Sequence, residues 1–274
     1  MLSSLRAPSV LLAVALAASL TSCGLTAPPV AAQDADGGAA DPSASAEALL
    51  DAIRARYSQS WYRTLTFVQA TTFHTPNGPQ TQTWFEAGAF PGRLRIDVAP
   101  REAGTTYLVV GDSTHIAQGG RVVQRRPQGN PLLLLGFDLP FLSTEEGVAG
   151  MRTIGIDTDA VRADTWQGRP AIVVGGAPGD TTSAQVWFDR ERLVFVRLIE
   201  VEDGTVQDIR FDDYEPLAGG WVAPRVEVYA NGRLVMEEDY RAVQADVDLP
   251  EGTFDPRSWP STNWWPAAGY DGTE

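Results

Sequence analysis

The sequence contains no lysine: all 21 basic residues are arginine, set against 35 acids for a formal charge of −14. That excludes a Walker-type phosphate loop, a Schiff-base lysine and a Ser-Lys nucleophile. It also argues against nucleic-acid binding, which needs a clustered basic face to neutralise phosphates. Cysteine is almost as scarce. Cys23 stands alone, so no internal disulfide forms, and with only His74 and His115 beside it the chain cannot build a structural zinc site. Long apolar runs are missing too. The longest, residues 10–20, is 11 residues, whereas a membrane-spanning helix takes about 20.

That short run is nevertheless informative. It follows Arg6 and precedes Leu20-Thr21-Ser22-Cys23-Gly24. A charged start, an apolar stretch of this length and small residues before a cysteine resemble a bacterial lipoprotein signal. On that reading residues 1–22 are removed and Cys23 is acylated. Two or more acyl chains would then hold the protein stably at a membrane. Gly24, in place of an aspartate after the cysteine, favours the outer membrane facing the periplasm in a two-membrane cell. In a single-membrane cell the protein would face outward from the plasma membrane. Residues 23–40, rich in Ala, Pro, Gly and Asp, read as a flexible tether.

From residue 41 onward the chain reads as one helix followed by a long antiparallel meander. Asp41-Pro42 is a plausible helix start, and Ala46, Leu49, Leu50, Ile53 and Tyr57 recur at helical spacing to about Ser58. After Trp61 the period becomes two. Leu65, Phe67 and Phe73 share one face; Leu94, Ile96 and Val98 alternate with Arg93, Arg95 and Asp97; Val222, Val226 and Val228 alternate with charged residues. Asn77-Gly78, Gly119-Gly120, Asp203-Gly204 and Asn231-Gly232 are hairpin signals. Roughly a dozen strands are expected between Leu65 and Val243. The fold class is therefore mainly β: a curved antiparallel sheet or incomplete half-barrel, with an N-terminal helix and a short helical insertion. The hairpin order excludes a βαβ arrangement.

The insertion is residues 129–141, GNPLLLLGFDLPF, too apolar for an ordinary surface loop and too rich in proline for a central strand. Behind it Ser143-x-x-Glu146 forms a capping box that opens a helix through Met151. The insertion either closes the core permanently or acts as a movable lid over an apolar cavity. Candidate lining residues are Phe67, Trp84, Leu94, Ile96, Leu132, Leu133, Leu134, Leu135 and Phe137.

Catalytic candidates fail on spacing. Ser113, His115 and Asp112 are too close in the chain for a triad, and no G-x-S-x-G elbow is present. Residues 175–180 are Gly-rich but lead into a strand-like run and not a phosphate-binding helix. Asp157, Asp159 and Asp164 lack EF-hand spacing. Glu237-Glu238-Asp239 reads as a solvated strand edge. The expectation is a non-enzyme without metal or cofactor. Trp259, Trp264 and Trp265 fall in a Pro-containing tail, residues 257–274, that either packs on the body or presents an exposed aromatic platform.

Phe67-x-Gln69, Pro91-Gly92-Arg93-Leu94-Arg95-Ile96, residues 110–114, residues 220–226 and Leu249-Pro250 before Phe254 together resemble the LolA/LolB-like superfamily of lipoprotein-localisation factors. The resemblance covers about residues 45 to 256, within a half-barrel domain expected over residues 41–256. It implies a curved half-barrel whose concave face, covered by helices, accepts acyl chains of lipoproteins in transit. The lipid anchor matches the receptor-like members. One departure concerns the lid: the arginine that usually precedes the proline and holds the lid shut is replaced here by Phe90. The sequence therefore points to a lipid-anchored envelope protein that binds acyl chains or lipoprotein lipid and contributes to lipoprotein sorting. The alternative is a structural or interaction lipoprotein without ligand transport.

Overall fold

The computed structural model describes residues 41–100 and 104–271; Cys23, the signal segment and the tether lie outside them. Helix α1 (Ala46–Tyr57) comes first, with Leu49, Leu50 and Ile53 buried. Its cap is Ser45, whose hydroxyl accepts from the Ala48 N–H, and not the expected Asp41. Asp41 instead closes a turn on Ser43 and pairs with Arg190.

Six strands follow as hairpins: β1 (Thr64–Thr75), β2 (Gly78–Ala89), β3 (Arg93–Val98), β4 (Thr105–Val110), β5 (Ser113–Gln118) and β6 (Arg121–Arg126). The insertion then forms α2 (Pro131–Leu133), a π-helical turn (Leu134–Asp138) and α3 (Thr144–Thr153). Nine more strands complete the chain. They are β7 (Val161–Trp166), β8 (Arg169–Val174), β9 (Gln185–Asp189), β10 (Val194–Glu202), β11 (Thr205–Asp212), β12 (Glu215–Leu217), β13 (Gly220–Val222), β14 (Arg225–Ala230) and β15 (Arg233–Ala245).

Thirteen of these strands make one open antiparallel sheet, ordered β6-β5-β4-β3-β2-β1-β15-β14-β11-β10-β9-β8-β7, while β12 and β13 pair separately. Val222 is therefore not continuous with Val226 and Val228, because Ala223-Pro224 breaks the run. The topology explains the insertion. The first meander ends at one edge of the sheet and the second begins at the other. The chain must cross from β6 to β7, and residues 127–160 make that crossing. Register shifts within β1/β15, β14/β15, β9/β10 and β5/β6 bend the ladder. One continuous core gathers side chains of α1, α2, α3 and most of the strands on the concave side of the sheet.

Over β1 to β5 the opposite, convex face is covered by the C-terminal tail. Trp259 packs on Leu108 and Ala117, while Trp264, Trp265 and Tyr270 pack on Val68, Phe85 and Ala87. Beneath them Arg95 and Asp97 form an ion pair at 2.9 Å, each 1% exposed. Asp97 Oδ2 also accepts from both indoles, Trp264 Nε1 at 2.9 Å and Trp265 Nε1 at 3.0 Å. The three tryptophans are core, so the exposed-platform reading of the tail does not hold.

Candidate functional site

The candidate site is the concave face together with the segment that crosses it. Asn130 opens that segment: its side-chain oxygen accepts from the Leu132 and Leu133 N–H groups, with Pro131 at the first helical position. The Ser143–Glu146 capping box is formed as expected and starts α3. Helix α3 packs against α1, and Gly147 allows the approach: a Cβ there would lie 2.9 Å from Leu50 Cδ1.

The crossing segment is fastened at two adjacent points. The Phe137 ring stacks on Phe90, with centroids 5.0 Å apart and planes 10° from parallel. Next to it, Asp138 Oδ1 accepts from the Gly92 N–H at 2.9 Å. Burial pushes the Asp138 carboxyl up to about 7, partly offset by that hydrogen bond. Phe90, which stands where the resemblance leads one to expect an arginine latch, thus still touches the lid, through stacking and not through charge.

The expected lining residues divide into three groups. Phe67, Leu133 and Leu135 are buried in the main core, with Leu94, Leu132, Leu134 and Phe137 half-buried against it. Phe67 stacks on Tyr240 at 4.1 Å. Trp84 is buried and lies 6.2 Å from Phe73, and its Nε1 donates to Gln82 Oε1. Ile96 is only half-buried and stands apart from the packed core. The strand register places Phe67, Trp84, Leu94 and Ile96 on one face of β1, β2 and β3. Leucines of the lid belong to the same core as Phe90 and Phe211. Two open recesses, of about 450 and 460 Å³, lie away from the lid, one beside residues 247–255 and one between β12–β13 and α1.

A buried polar group on this face runs against the sequence expectation. Glu238 is 7% exposed and not a solvated strand edge; Glu237, its neighbour, faces outward and pairs with His74 and Arg225. Burial raises the Glu238 carboxyl to about 7. Glu86 is equally buried, and burial, reinforced by Glu238, raises its carboxyl well above the ordinary range. The signal was available in the alternation: Met236, Glu238 and Tyr240 share a face, as do Trp84, Glu86 and Gly88. Among the described residues, no three His, Cys, Asp or Glu side chains gather as a metal site requires.

Solved structures share this architecture. A domain named for outer-membrane lipoprotein sorting, from Vibrio parahaemolyticus, superposes with a TM-score of 0.55 at 12% identity, over 80% of this chain and 99% of that one. A DUF1329 family protein from Desulfovibrio piger gives 0.54 at 14% identity, over 80% and 100%. A LolA superfamily protein from Nitrosomonas europaea gives 0.50 at 12% identity, over 78% and 98%. No family model matches the sequence, and no curated protein is significantly similar to it. The chain shares its fold with these three structures.

Proposed function

We propose that the protein is a lipid-anchored envelope protein that binds an apolar ligand, acyl chains or the lipid part of a lipoprotein, on the concave face of its sheet. The observation that carries this reading is the crossing segment. Leu132 to Leu135, Phe137 and Leu139 lie over the sheet where a hydrocarbon chain would cover the same surface. Each fully buried leucine contributes about 1.5–3 kcal/mol. A ligand chain that replaced the lid side chains would recover much of that, so exchange of lid for ligand is close to balanced. The sharing of a fold with a lipoprotein-sorting domain supports the same reading. Cys23 supplies the anchor, which puts the site at a membrane surface where acyl chains are available. The protein then acts as a carrier or receptor, without a catalytic step.

One observation favours the second reading, a structural lipoprotein: Leu133, Leu135 and Leu139 are each no more than 3% exposed, as in a filled core. Mass spectrometry of lipids that co-purify with the protein in mild detergent tests the choice. The carrier reading expects an acyl lipid in near-stoichiometric amount that is retained through washing. Protein free of lipid, and unable to take any up, favours the structural one.

A further inference from the structure

Beyond the lid, the concave face holds buried acceptors that the chain leaves short of donors. Glu86 on β2 stands opposite Phe67 and Ile96, and Glu238 on β15 stands opposite Thr71 and Val226. Gln69 on β1 lies between them, opposite Trp84 and Tyr240. Glu86 makes no hydrogen bond or ion pair with any described residue, although it is 6% exposed. Glu238 receives the Tyr240 hydroxyl, at a long 3.4 Å, and the Gln69 amide. Gln69 is 1% exposed; its Nε2 donates to Thr71 Oγ1 at 2.8 Å, while its Oε1 is buried with no partner.

Folding gains nothing from this arrangement. Two buried acids that repel each other, with no arginine paired to either, cost stability that an apolar pair of similar size would not. A buried acceptor without a donor is a further cost. What the group lacks is a compact cation with several donors. A primary ammonium carries three N–H groups and so suits a face on which buried acceptors are short of donors. The surface around it is apolar. Ile96, Val98 and Tyr107 are half-exposed on the same face of β3 and β4, and Glu86 sits directly across from Ile96. A hydrocarbon chain lying along these residues ends beside Glu86.

We propose that Glu86, Glu238 and Gln69 form the head-group site for an amphiphile that ends in a primary ammonium, its hydrocarbon lying along Ile96, Val98 and Tyr107. This rests on the apolar-ligand reading above and specifies which amphiphiles the site prefers. The ligand is a long-chain amine or a lipid bearing one.

Displacement of an uncharged fluorescent probe by dodecylamine, dodecanol, dodecanoate and dodecyltrimethylammonium, all below their micellar concentrations at pH 8, tests it. Dodecylamine is expected to displace the probe at concentrations at least tenfold lower than the other three. The trimethyl compound carries the charge without N–H donors, and so separates donor recognition from simple charge attraction. In the double variant Glu86→Gln, Glu238→Gln that preference should disappear, so that dodecylamine displaces the probe no better than dodecanol. Equal displacement by all four in the wild type would overturn the head-group site and leave the apolar-ligand reading standing. Displacement by none of them would overturn both.

Discussion

Phe90 stacks on Phe137 at a centroid distance of 5.0 Å, and this contact joins the end of β2 to the segment that crosses the sheet. An aromatic stack has no charge to be screened or titrated, so it holds the lid equally at high and low salt. It also yields to another apolar surface, which an ion pair would not do as readily.

The first prediction concerns that stack. Phe90→Ala and Phe137→Ala should each destabilise the protein. The loss should reach about 3–5 kcal/mol for the buried Phe90 and less for the half-exposed Phe137. The double variant should lose less than the sum, with a coupling of about 0.5–1.5 kcal/mol. Urea denaturation of the four proteins in the cycle measures it. Strict additivity would mean that the two rings do not hold each other.

The second concerns Asp138, which titrates from its buried position between the lid and Gly92. Its carboxyl is raised to about 7 in the folded protein by burial. The folded state therefore keeps a proton that the unfolded chain releases from about pH 4 upward, and stability falls as the pH rises through that window. Asp138→Asn keeps an acceptor for the Gly92 N–H and removes the titration. Variant and wild type should be equally stable near pH 4. The variant should then gain steadily up to about pH 7, at roughly 1.4 kcal/mol per unit, and gain no more above it. Thermal denaturation across pH 4 to 9 checks the sign; a variant weaker than wild type at pH 8 would contradict it.

The third concerns the tail. Asp97 neutralises Arg95 and accepts from two indoles, so Asp97→Ala strands a buried guanidinium and two N–H donors. Breaking a buried pair in this way costs about 3–5 kcal/mol. Its thermal midpoint should drop sharply, and tryptophan emission should shift to the red as Trp264 and Trp265 gain access to water. Emission unchanged from wild type would mean that the tail is held independently of Asp97.

The fourth concerns the anchor. Cys23→Ser should move the protein from the membrane fraction to the soluble one, or leave an unprocessed precursor. Intact-mass analysis of the wild type should show a chain that begins at Cys23 with added acyl mass. An unmodified chain that starts elsewhere removes the basis for a membrane location.

Much of the fold was legible because short-range rules governed it. Glycine-containing turns such as Asp203-Gly204 and Asn231-Gly232 set hairpins whatever the rest of the chain does, and alternation then assigns faces. The site was less legible. The helix start moved from Asp41 to Ser45 because both residues cap well and only packing decides between them. Glu238 looked solvated because its neighbours Glu237 and Asp239 are charged. In a strand, however, the relevant neighbours are two residues away, and those are Met236 and Tyr240. The tryptophans of the tail gave no sign of what they cover, since their partners on β1 to β5 lie more than 140 residues away. The crossover from one edge of the sheet to the other is likewise a property of the whole topology, and no local pattern encodes it.

The most direct test of the central claim is titration of the purified protein with a fluorescent fatty-acid probe, alongside the lid variants Leu133→Asp and Leu134→Asp. The account predicts saturable binding by the wild type, and weakened binding in the variants while their circular-dichroism β signal is retained. A wild type that binds no probe, with lid variants that simply unfold, would contradict it: the crossing segment would then be permanent core, and the concave face would hold no ligand.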